Sequence, residues 1–206
     1  MQRRIARAAT GLAAAALLVA AAPAAAQHGG HGEHGAHGAA MPTSGFRAEL
    51  IRDIEQLEQK YLGLADAMVG KYKWRPGEGV RSVSEVFMHV AGANFLIPIA
   101  VGHQPPKQYR GADQRETMSK LMALEQITDP ERVKAELRHA FMHAKHTIAG
   151  VQDGELDDTV RLFGQDYTKR AALHLLVTHM HEHLGQAIAY ARTNGVVPPW
   201  SAGTED

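Results

Sequence analysis

Apolar residues recur at alternating three- and four-residue steps through Phe46, Leu50, Ile54, Leu57, Tyr61, Leu64 and Met68. That is the period of an α-helix with one apolar side, about six turns long. A strand needs apolar and polar residues to alternate, and no segment of this chain does so. The same helical signal returns further on. Ser82 and Glu85 form a capping box that opens a second helix, Val83 to Val101, with Pro98 expected to kink it. Its Val86, Phe87, Val90, Phe95, Leu96, Ile97 and Ile99 cover nearly every face, which places it centrally.

A connection from His103 to Ala112 leads to a broken third helical region, whose main part starts at Asp129-Pro130-Glu131 and runs to Val151. A loop over Gln152 to Tyr167 precedes the last helix, Thr168 to Asn194, which Gly195 and Pro198-Pro199 terminate. Four long amphipathic segments can bury their apolar sides only against one another. The expected fold class is therefore all-α, a four-helix bundle.

The residues before the bundle read differently. Arg3, Arg4 and Arg7 are followed by an Ala/Leu/Val run to Ala22 and then by Pro23-Ala-Ala-Ala26, the order of a secretory signal cleaved after Ala26. The run is too short and too rich in Ala to be a stable membrane anchor, which needs about 20 strongly apolar residues. A periplasmic or secreted protein is expected. Arg3-Arg4 also admits twin-arginine export, although general secretion fits the rest of the segment better. Cleavage removes three Arg and no acid from a chain with 22 basic and 22 acidic residues, leaving a net charge of −3. A nucleic-acid partner needs a clustered basic surface, and this balance does not provide one.

Histidine is the unusual component: 13 residues, in a chain with no cysteine. Thiolate zinc sites, iron–sulfur clusters, disulfides and cysteine nucleophiles are thereby excluded. Residues 27–41 form a Gly-rich leader carrying His28, His31, His34 and His37 at a constant spacing of three, too rich in Gly to pack. In an extended helix of about three residues per turn the four imidazoles share one side, a loose chelator for Zn, Cu or Ni. A solubilising leader with incidental metal affinity is the equal alternative. Nothing fixes its geometry well enough for catalysis.

The last helix carries His179, His181 and His183. At about 100° per residue, His179 and His183 fall with Ala172, Leu175, Leu176, Gln186 and Tyr190, whereas His181 falls opposite with His174 and Arg192. The pair at i and i+4 can converge on one ion. On the second helix His89 shares a stripe with Val86, Ala93, Leu96 and Ala100. Three separate buried imidazoles would each need a partner, and one divalent ion satisfies them together. Glu85, one turn before His89, is either an acceptor for that ring or simply the cap partner of Ser82.

His139, His143 and His146 share the side of the third helix opposite Leu137, Ala140, Ala144, Ile148 and Val151, so they are expected to face solvent. His103 is expected in a loop. Glu136 and His139 make a single Glu-x-x-His, where a di-iron carboxylate bundle requires two and further Glu. An HExxH zinc-protease helix is absent.

The stretches WRPGEGVRSVSEVFMHVAGAN (Trp74 to Asn94) and HMHEHLGQAIAYARTNGVVPPW (His179 to Trp200) resemble the DinB/YfiT-like superfamily of four-helix bundles, over a domain spanning residues 42–206. The resemblance implies a divalent ion, Zn, Ni, Fe or Mn, bound by His89, His179 and His183. It also implies metal-dependent chemistry, in some relatives thiol transfer or isomerisation with low-molecular-weight thiol cofactors. An export signal departs from that cytosolic pattern. Since related bundles dimerise, a homodimer is one expected assembly. Two functions follow: a metal-dependent hydrolase or transferase acting on a small molecule, or a non-catalytic periplasmic protein that binds and buffers metal. Gln186 and Tyr190 lie on the ligand face, and the sequence singles out no general base.

Overall fold

The computed structural model describes residues 40–203. The signal segment and nearly all of the leader lie outside the described residues. Four long helices form the bundle: α1 (Gly45–Ala67), α2 (Val83–Leu96), α4 (Pro130–Gly150) and α5 (Lys169–Thr193), with a shorter α3 (Gln114–Met122) between the second and third of them. Helices α1 and α2 each pack on both α4 and α5, so they occupy opposite corners of the bundle.

Local chemistry accounts for the helix starts. Ser82 and Glu85 form the expected capping box, and the Asp129 carboxylate accepts from the Arg132 amide at 2.9 Å ahead of Pro130. The Thr168 hydroxyl caps α5 by accepting from the Ala171 amide at 3.1 Å. At the centre, Tyr61 of α1 meets Phe87 of α2 edge-on at 6.2 Å and Phe141 of α4 at 5.4 Å. Its hydroxyl donates to the Met180 carbonyl of α5 at 2.7 Å, so one fully buried side chain touches all four corners.

Helix α2 is buried on nearly every side because α3 and the 3-10 segment Ala123–Gln126 cover its outer face. The stretch Val83–Val101 is long and apolar enough to cross a membrane, but 72% of it is buried inside the bundle, as expected of a core helix. At Pro98 the chain does not kink and continue: α2 stops at Leu96 and tightens into a 3-10 segment, Ile97–Val101, closed by Gly102 at φ 92.

Two further expectations are corrected. The Gln152–Tyr167 connection is not simply a loop, since Thr159–Leu162 (β1) and Gln165–Thr168 (β2) pair as an antiparallel hairpin running directly into α5. Its two-residue turn puts Phe163 at φ 50 and Gly164 at φ 77, the left-handed pair such hairpins require.

The second correction concerns the histidines of α4. His139 and His143 are half-buried, with their rings 5.3 and 5.4 Å from Phe95. The strap between α2 and α3 sets the Tyr109 ring 6.5 Å from that of His139, and His103 sits where a Cβ on Gly150 would come within 2.5 Å of its ring. Phase on the isolated helix put these residues outside; the strap covers that outside face. Burial, together with the neighbouring His103, His139 and His146, pushes His143 down to about 4, and burial lowers His103 as well. His146 remains exposed.

Candidate metal centre

His89 sits midway along α2, and His179 and His183 lie one turn apart on α5, where the two helices pack together. The three rings converge. Their centroids are 5.1 Å (His89–His179), 4.7 Å (His89–His183) and 4.5 Å (His179–His183) apart, and one nitrogen from each lies within 4.8 Å of the others. The Nε2 atoms of His89 and His179 are 3.2 Å apart. Two imidazoles bound to one tetrahedral ion at 2.0–2.1 Å bring their nitrogens to about 3.3 Å, so this spacing already suits a shared cation.

The outer sides of the rings fix which nitrogen is bare. His183 Nδ1 stands 2.9 Å from Gln186 Oε1, and Gln186 Nε2 donates to the Tyr190 hydroxyl at 2.9 Å. An amide oxygen only accepts, so His183 carries its proton on Nδ1 and leaves Nε2 bare. His89 Nδ1 stands 3.1 Å from Glu125 Oε1, and the same logic places a proton on that nitrogen and turns Nε2 toward the cluster. Burial and the neighbouring His183, His89 and Arg81 push His179 down to about 4; burial lowers His183 against the opposing bond to Gln186. His179 and His183 are thus biased toward the neutral, lone-pair form that metal binding requires. His179 Nδ1 is buried without a hydrogen-bond partner among the described residues.

Glu125 was not foreseen. It arrives on the 3-10 segment Ala123–Gln126, and Arg81 Nε donates to its two oxygens at 3.0 and 3.2 Å. Burial acts to raise its carboxyl, but the bonds from His89 and Arg81 outweigh that and hold it below the usual carboxylate range. Glu85, the acceptor considered from sequence, is engaged elsewhere: it accepts from the Ser82 amide at 2.7 Å and from Arg75 at 2.9 Å. Spacing alone offers no sign of Glu125, because a short segment far along the chain delivers it.

The remaining histidines of α5 fall where helical phase put them. His181 is exposed and pairs with Asp53 of α1 at 2.9 Å, and His174 is also exposed. Gln186 and Tyr190 do line the ligand face, with Trp74 edge-on to Tyr190 at 5.3 Å. The centre is not sealed, since the His89 side chain keeps 26% of its surface exposed.

Three imidazoles between two helices of a four-helix bundle define a class of fold and site compatible with metal binding. The sequence profile of the DinB superfamily matches residues 53–187, a stretch that includes all three histidines, and the chain belongs to that superfamily. Among solved structures, a DinB-like protein (YjoA) from Bacillus subtilis is similar, with a TM-score of 0.54 at 18% identity over 72% of this chain and 93% of that one. Identity at that level shows a shared fold. No curated protein matches the chain.

Proposed function

We propose that this protein is an exported, metal-dependent hydrolase or transferase for a small molecule, with a divalent ion held by His89, His179 and His183. The supporting observation is the convergence of three imidazoles, with the Nε2 atoms of His89 and His179 separated by 3.2 Å. Glu125 and Gln186 hold the Nδ1 protons of His89 and His183, directing the bare nitrogens inward. A bound ion supplies a Lewis acid, and three protein donors leave coordination positions for a substrate. The exposed edge of His89 gives a small molecule access, and Trp74 and Tyr190 pack together beside Gln186.

The reading includes passage to the periplasm or outside the cell through the signal at residues 1–26, with no stable membrane anchor, no nucleic-acid partner and a homodimer as the assembly to test. A second reading, metal binding and buffering without turnover, is favoured by one feature, the regular spacing of His28, His31, His34 and His37. Assay of the metal-loaded protein and of His179→Ala against ester, amide and thiol-conjugate substrates separates the two. Turnover that the variant loses supports an enzyme. Metal uptake with no turnover of any class supports the buffer.

A further inference from the structure

The three imidazoles are braced unequally. His183 leans on a neutral amide from its own helix, and His179 Nδ1 has no partner among the described residues. His89 alone is braced by a carboxylate, and that carboxylate is itself braced. Arg81, in the residue before the α2 N-cap, donates to Glu125 at 3.0 and 3.2 Å, and Glu125 accepts from His89 Nδ1 at 3.1 Å. The series crosses three pieces of chain: the turn before α2, the segment Ala123–Gln126, and α2 itself.

We infer that Glu125, steadied by Arg81, is a positioning residue that sets the metal affinity of the three-histidine centre. The inference rests on the metal reading above and extends it outside the ligands. A neutral imidazole has two tautomers and can present either nitrogen by turning about its Cβ–Cγ bond. A carboxylate accepts only from the protonated nitrogen. Held on Nδ1, the proton leaves the Nε2 lone pair aimed at His179 and His183, and the negative charge makes the ring a stronger donor. Glu125 has limited freedom to leave. Its side chain is 25% exposed, and the Arg81 guanidinium occupies both of its oxygens. A charge-assisted contact of this geometry restrains the carboxylate more than a single neutral hydrogen bond would.

The competing account is purely mechanical: Arg81 and Glu125 tie the covering segment to α2, and His89 is incidental. That account predicts altered stability of the metal-free fold with unaltered affinity for an ion. The test uses the full chain with His28, His31, His34 and His37 replaced by Ala throughout, so that only the bundle titrates. Co²⁺ is added while its visible absorption is followed, and Zn²⁺ affinity is measured by competition with a chelating dye.

Glu125→Ala is expected to weaken both ions by about 10- to 100-fold, the usual range for loss of such a brace. Glu125→Gln, whose amide oxygen still accepts from Nδ1, is expected to recover part of that loss, and Arg81→Ala to show a smaller one. Circular dichroism of the metal-free variants reports folding. Should Glu125→Ala unfold, Glu125→Gln and Arg81→Ala carry the comparison. Affinity and Co²⁺ spectrum equal to the parent in the folded variants overturn the inference, even where thermal stability falls. A parent that takes up neither ion overturns the three-histidine reading first and the inference with it.

Discussion

His89 and His179, 90 residues apart in sequence, point their Nε2 atoms at one another across 3.2 Å. His89 carries its proton on the other nitrogen, so this pair needs either a proton or a cation between the rings. The chain beginning at Pro42, without the leader, is therefore expected to retain about one divalent ion per chain through three protein ligands. The double variant His89→Ala/His183→Ala is expected to retain none. Elemental analysis of both after metal loading and desalting decides the matter, and an empty parent refutes the assignment.

His181 lies between His179 and His183 in sequence yet faces outward, where it meets Asp53 at 2.9 Å. His181→Ala should leave metal content unchanged. With both partners substantially exposed, the pair is worth under about 1 kcal/mol, so the thermal midpoint should also shift little. Metal loss comparable to that of His183→Ala contradicts the helical phase described above.

His143 predicts a direction of acid sensitivity. Its ring titrates near 6.5 when unfolded and is pushed down to about 4 in the fold, so between these values the unfolded chain binds a proton that the folded one does not. Stability should fall as pH drops from about 6.5 and level off below about 4. In metal-free protein, His143→Leu should flatten part of that slope in thermal melts taken across the range. An unchanged slope would mean that His143 is accessible to protons in the folded state.

Tyr61 joins α1 to the carbonyl of Met180, the residue after His179, at 2.7 Å in the middle of the core. Tyr61→Phe removes only the hydroxyl, and a loss of about 1 kcal/mol in urea unfolding is expected. Tyr61→Ala also leaves a cavity and should cost about 3–5 kcal/mol. A Phe variant as damaged as the Ala variant would show that the hydrogen bond, rather than packing, dominates at this position.

The bundle helices were legible because each buries one stripe at a fixed period. The stripe Phe46 to Met68 became Gly45–Ala67, and the segment starting at Thr168 became Lys169–Thr193. Ser82 and Glu85 marked the start of α2 through chemistry confined to four neighbouring positions. The hairpin was not legible because its strands have four residues each: Thr159–Leu162 does alternate polar and apolar residues, but over too short a run to stand out, and Gln165–Thr168 carries no such pattern. That short alternation and the Phe163-Gly164 turn are the signals that could have suggested it.

The convergence of His89 with His179 and His183 followed from helical phase plus the need of buried imidazoles for partners. Glu125 did not, because nothing local relates residue 125 to residue 89. His139 and His143 were misplaced for a similar reason. A helical wheel knows only its own helix, and the strap bearing His103 and Tyr109 comes from elsewhere.

With an ion seated across α2 and α5, His89 and His179 become the two ends of a cross-link that encloses 90 residues of chain. In the chain-entropy treatment used for disulfides, closing a loop of that size lowers the free energy of folding by about 4–5 kcal/mol. Such an ion would give a polypeptide with no cysteine a removable staple, insensitive to thiol reductants and opened by chelators. In the presence of reductant the protein should keep its melting temperature, and in the presence of a chelator it should lose the increment that the staple provided.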